Sequence, residues 1–92
     1  MHLSEGFARF IEAEVGSLAP AALRANLEDR GYRIFAGVDD SRTISREAYH
    51  PDRGIFKGSG IDETHAFIGL LRQAWLVESF ETMRETEAGS AN

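Results

Sequence analysis

The chain has 92 residues, 42% of them hydrophobic and 27% charged, the composition of one ordinary globular domain with a modest core. No apolar run approaches the ~20 residues of a membrane helix, and the absence of cysteine excludes disulfide, thiolate and zinc-ribbon chemistry. The net charge of -5 is uneven: residues 1 to 29 hold five acids and two arginines (−3), 30 to 57 six bases and four acids (+2), and 58 to 92 six acids and two arginines (−4).

The N-terminal stretch MHLSEGFARFIEAEV has no basic leader followed by an apolar block, so no secretory signal is read and a cytoplasmic location is expected. Ser4 is placed to cap a first helix in which Leu3, Phe7, Phe10, Ile11, Val15 and Leu18 recur at helical spacing, with Gly16 as a stop. Pro20 fits the first turn of a second helix that runs through Leu23 and Leu27 and ends at Gly31. From Tyr32 to Val38 both alternating sets contain apolar residues, which predicts a central strand. Asp39, Asp40 and Ser41 turn the chain into a half-exposed strand over 43–49. His50-Pro51-Asp52-Arg53-Gly54 is the clearest turn, because Pro51 presets φ and Gly54 tolerates a positive one. A third strand, Ile55 to Lys57, is expected to pair back antiparallel.

Gly58 and Gly60 punctuate the end of that strand, and Asp62 stands where an N-cap belongs, with Glu63 in the first turn of a last helix. Phe67, Leu70, Leu71, Ala74 and Val77 share one side of it, flanked by Ile68 and Trp75, an arc wide enough to lie on a sheet. Trp75 is expected between this helix and the sheet. Leu76 and Phe80 point away and need a second partner, another helix or another copy. Glu78 falls near the middle of the apolar arc, so either its carboxylate is buried or the helix end frays there. Beyond Met83 the residues are polar and small. The expectation is a single α+β domain over 1–83 and a disordered acidic tail over 84–92. In that domain N-terminal helices precede a three-stranded antiparallel meander, and a C-terminal helix packs on one sheet face.

Catalytic and cofactor motifs are missing. His2, His50 and His65 have no metal-site spacing, Asp39 and Asp40 lack the glycine and glutamate of a calcium loop, and Gly58-Ser59-Gly60 matches neither a nucleophile elbow nor a dinucleotide fingerprint. No enzyme activity, cofactor or metal is expected. The middle segment interleaves Arg33, Arg42, Arg46, Arg53 and Lys57 with Tyr32, Phe35, Tyr49 and Phe56, a mixture found both in base-stacking sheet faces and in protein interfaces.

The order of elements and the pattern Gly58-x-Gly60-x-Asp62-Glu63-Thr64-x-Ala66, followed by Leu70, Leu71 and Ala74, resembles the last third of a double-stranded RNA-binding domain over residues 20 to 77. The resemblance implies a meander closed by a helix. In that family lysines at the helix start grip phosphates, whereas here the positions are Asp62, Glu63 and Thr64. Small size, acidity and the lack of cysteine resemble, by type, the phage-encoded inhibitors of host defence known as anti-CRISPR proteins. That resemblance implies a non-enzymatic inhibitor in the host cytoplasm, which covers a basic nucleic-acid-binding surface of a CRISPR complex without binding nucleic acid itself. The acids expected to face the partner are Glu5, Glu12, Glu14, Glu28, Asp29, Glu63 and Glu81. The alternatives are a nucleic-acid-binding module using a sheet face with Arg33, Arg42, Arg46 and Tyr49, and a homodimeric accessory protein.

Overall fold

The computed structural model describes residues 4–90, with side chains described over 4–85. Helix α1 (Glu5–Phe10) is capped as its sequence requires, the Ser4 hydroxyl accepting from the Phe7 N–H at 3.4 Å. It widens into a π-helical turn, Ile11–Val15, and stops at Gly16 in the left-handed conformation (φ 76°). Phe7 and Ile11 are buried by this arrangement; Leu18 lies beyond the helix and is exposed, so the apolar stripe is shorter than its spacing predicts. Leu3 lies outside the described residues. Helix α2 (Pro20–Asp29) buries Leu23 and Leu27 and closes in a Schellman motif. There the Gly31 N–H donates to the Glu28 carbonyl at 3.0 Å and the Tyr32 N–H to that of Leu27 at 3.1 Å.

Strands β1 (Arg33–Ala36), β2 (Ile44–His50) and β3 (Gly54–Gly60) form an antiparallel sheet in the order β1-β2-β3. The first strand is therefore an edge and β2 is central, the reverse of the sequence expectation. Its two apolar sets divide between the faces: Ile34 packs against the core, while Phe35 points to the open face. Helix α3 (Glu63–Ser90) lies across the inner face over β3 and β2. Asp62 caps it, accepting from the His65 N–H at 2.8 Å. Phe67, Leu70, Leu71 and Ala74 are fully buried beneath it with Ala48, and Val77 is half-buried. The fold is α+β, with the C-terminal helix packed on one sheet face.

Gly58 and Gly60 do not end β3; they belong to it. A Cβ on Gly58 would overlap the carbonyl oxygen of Ala66, and one on Gly60 would overlap the Cβ of His65. They are the contact that lets α3 approach the sheet backbone, so the strand reaches Gly60 instead of stopping at Lys57.

Trp75 is half-buried between α3 and α1, not between helix and sheet. Its ring lies 5.5 Å from that of Phe7 and 6.4 Å from that of Phe10, and Gly6 passes over its edge. Trp75→Ala is expected to cost about 2 kcal/mol, below the usual range for a fully buried tryptophan, and to loosen α1 selectively. Amide exchange of α1 rising while that of the sheet is unchanged would check it. Residues 84–90, expected in a disordered tail, continue α3 to Ser90, and residues 91 and 92 lie outside the described residues. With 28 residues the helix is about 42 Å long, which accounts for most of the 54 Å long axis of the molecule. Among the described residues no helix is long and apolar enough to cross a membrane.

Candidate interaction surfaces

Ion pairing decides which of the charges are available to a partner. On α1 and α2 and at the C-cap of α2 every arginine is engaged: Arg9 pairs with Glu5, Arg24 with Glu28 at 3.6 Å, and the capping Arg30 with Glu78 at 3.1 Å. Glu12, Glu14 and Asp29 are exposed and have no ion-pair partner among the described residues. The Asn26 side chain donates to the Glu14 carbonyl at 3.4 Å, which brings the end of the π-helical turn against α2 one turn before Asp29. Glu63 and Glu81 are bound to the protein's own cations. Arg46 reaches Glu63 at 3.1 Å and Asp39 at 3.0 Å, and Arg53 forks onto both oxygens of Glu81 at 2.9 and 2.8 Å. Of the seven acids singled out in the sequence, Glu5, Glu28, Glu63 and Glu81 are thus paired with the protein's own arginines, whereas Glu12, Glu14 and Asp29 have no such pairing among the described residues.

Arg53 also anchors a cluster where the β2–β3 turn meets α3. Its Nη1 donates to the Tyr32 hydroxyl at 3.2 Å, and that hydroxyl donates to Glu78 at 3.3 Å. Glu78 lies 3.6 Å from Arg53. The carboxylate in the apolar arc is therefore held by two arginines and a phenol, and the helix continues past it without fraying. The guanidinium of Arg30 lies over the Phe10 ring, 5.2 Å from its centroid; its Nε and Nη2 make no hydrogen bond among the described residues, so the Nη2 contact with Glu78 is a charge contact outside hydrogen-bond geometry. Burial raises the pKa of Tyr32 above that of a free phenol, and the hydrogen bond from Arg53 lowers that of Glu81. These contacts cross the fold and explain the cluster as a clasp.

The two described histidines do not converge. The His50 ring packs tilted against that of Tyr32 at 5.0 Å, His65 holds Asp62 at 2.5 Å within the helix cap, and His2 lies outside the described residues. Among the described residues no group of His, Cys, Asp and Glu is placed to hold a metal ion.

The sheet face opposite α3 is uncovered. Phe35, Tyr49 and Ile55 are 50%, 40% and 62% exposed there, and with Arg33 and Glu47 they line a shallow depression. Strand register sets the side chains in rows: Arg33, Tyr49 and Ile55 across one, and Phe35, Glu47 and Lys57 across the next. Of the four residues proposed from sequence for this face, it carries Arg33 and Tyr49. Arg46 is one residue out of phase and points to the α3 side, where Asp39 and Glu63 hold it, and Arg42 sits in the β1–β2 loop beside Asp40. Ile55 and Glu47 were not distinguished in the sequence, although their parity with Tyr49 and Lys57 marks them once the register is known. A smaller apolar strip, Leu76 (43% exposed) and Phe80 (64%), lies on the outer side of α3. No family model, curated protein or solved structure matches this chain.

Proposed function

We propose that this chain is a non-enzymatic, acidic protein-binding inhibitor of the anti-CRISPR type, and that its α1–α2 side meets a basic, nucleic-acid-binding surface of its partner. The observation that carries the reading is the pairing pattern: Arg9, Arg24 and Arg30 are each engaged, so among the described residues the charge left on this side is that of Glu12, Glu14 and Asp29. Unpaired acids on a rigid helical pair attract cations from a distance and speed association. Glu63 and Glu81 are removed from the contact set, because a partner's cation would have to displace Arg46 or Arg53. The same pairing weakens the nucleic-acid alternative, since Arg30, Arg46 and Arg53, half of the six bases between residues 30 and 57, are neutralised internally.

The reading is tested by adding the protein to a panel of purified CRISPR effector–guide complexes and measuring their binding to target DNA. Block of one of them is expected, relieved at least tenfold by the triple variant Glu12→Lys, Glu14→Lys, Asp29→Lys and by raising salt from about 0.15 to 0.5 M. The variant should retain the native circular dichroism spectrum, because none of the three side chains is buried. Micromolar binding of the isolated protein to labelled duplex or single-stranded oligonucleotides at about 0.15 M salt would reject the reading in favour of a nucleic-acid-binding module.

A further inference from the structure

We propose that the open sheet face is covered by a second copy of this chain, in an isologous dimer that leaves the acidic α1–α2 sides exposed at both ends. The proposal stands on the sheet face and does not depend on the function proposed above.

The argument is the order of side chains in the two rows. Along one row from β1 to β3 stand a cation, an aromatic with a hydroxyl and an aliphatic: Arg33, Tyr49, Ile55. Along the next stand an aromatic, an acid and an amphipathic cation: Phe35, Glu47, Lys57. A two-fold axis running across the strands between these rows, about 3.4 Å from each, places each row over the other while keeping β1 opposite β1. Arg33 of one copy then lies over the ring of Phe35 in the next, a cation–π contact. The Tyr49 hydroxyl meets the Glu47 carboxylate, and Ile55 meets the aliphatic stem of Lys57. Symmetry makes each contact twice. The other in-plane axis, along β2, also pairs Phe35 with Lys57 but sets Glu47 against Glu47 at the centre and Arg33 against Ile55, so it is disfavoured by like-charge repulsion. Stacked sheets lie about 10 Å apart with strands nearly aligned, which this arrangement satisfies.

A second copy suits this face better than the other occupants. Nucleic acid would meet Glu47 at the centre of the face, and an aliphatic partner would give Arg33 no ring to cover it and the Glu47 carboxylate no hydroxyl donor. The face is small, so the dimer belongs at the low end of interface sizes and should form at micromolar concentration or above.

Sedimentation velocity of the full chain from about 1 to 500 μM tests this, with the 10.2 kDa monomer expected to give way to a species of twice that mass. Phe35→Lys, which sets a cation against Arg33, and, separately, Tyr49→Glu, which sets an acid against Glu47, should each weaken dimerisation at least tenfold with unchanged circular dichroism, since both side chains are exposed in the monomer. Leu76→Glu combined with Phe80→Glu, on the outer side of α3, should leave it intact. On dilution, backbone NMR shifts should change at residues 33, 35, 47, 49, 55 and 57. A monomer at every concentration overturns the proposal. So does a dimer lost in the α3 variant and kept in both sheet variants, or a single-stranded oligonucleotide binding the face in place of a second copy.

Discussion

Gly58→Ala is expected to cost about 3 kcal/mol of folding stability, at the upper end of what an inserted core methyl costs. The added Cβ would overlap the Ala66 carbonyl and lie 3.0 Å from the backbone nitrogen of Leu70 and 3.1 Å from its Cγ. Two of those three atoms are helix backbone, so no rotamer change relieves the clash and α3 has to lift from β3. Lifting it loosens Phe67, Leu70, Leu71 and Ala74 together, because all four are buried on the same helix face. Gly54→Ala provides the control. Gly54 has φ of 85° with nothing within 4 Å of its would-be Cβ, so that change should cost only the ~1 kcal/mol of a left-handed alanine. Urea unfolding of the two variants compares them. Equal losses would mean that backbone conformation, and not the approach of helix to strand, is what these glycines supply.

Arg53→Met is expected to cost about 2 kcal/mol at neutral pH: the arginine side chain is only 18% exposed and loses several hydrogen bonds, while the 45% exposure of Glu81 lets solvent offset part of the loss. Methionine keeps much of the stem volume, so the loss reports the charge and hydrogen bonds. Glu81 loses both of its bonds to Arg53, the Tyr32 hydroxyl loses its donor, and Glu78 keeps Arg30 as its one cation among the described residues. The variant should also change the pH dependence. Glu81, Asp39 and Asp62 all titrate below the ordinary carboxylate range, chiefly through the bond from Arg53, the N–H of Ser45 and the N–H of His65 respectively. A carboxylate with a depressed folded pKa stabilises the protein above its unfolded value, about 4, and that contribution is lost as pH falls through the folded value. Tyr32 has the opposite sign: its raised pKa contributes fully below about 10 and is lost as pH rises above that. The wild-type protein should therefore lose stability on both sides of a broad plateau. In Arg53→Met the acid slope should be shallower, since the Glu81 part is gone while those of Asp39 and Asp62 remain. An unchanged slope below pH ~4 would show that the Arg53–Glu81 fork contributes nothing in solution.

How much of this was legible in the sequence follows the span of the interactions. Ser4, Gly16, Pro20, Gly31 and Asp62 begin and end the helices where their residue types predict, because each acts on backbone groups within five positions of itself. The α+β order and the buried arc of α3 are equally local, set by spacing along one helix and by turn residues between strands. Arg46 meets Glu63 across 17 positions and Arg53 meets Glu81 across 28, so a segmental charge balance overestimates both the basic middle and the acidic helices. The tertiary structure alone decided that β1 is an edge, that Phe35 is left in the open while Ile34 is covered, and that Gly58 and Gly60 are contacts instead of breaks. Alternation in a strand separates two faces without saying which one a helix will cover, and a glycine reads the same whether it frees a turn or admits a neighbouring backbone. Those choices belong to the single packing of α3 on the sheet, which buries one face at close range and leaves the other bare.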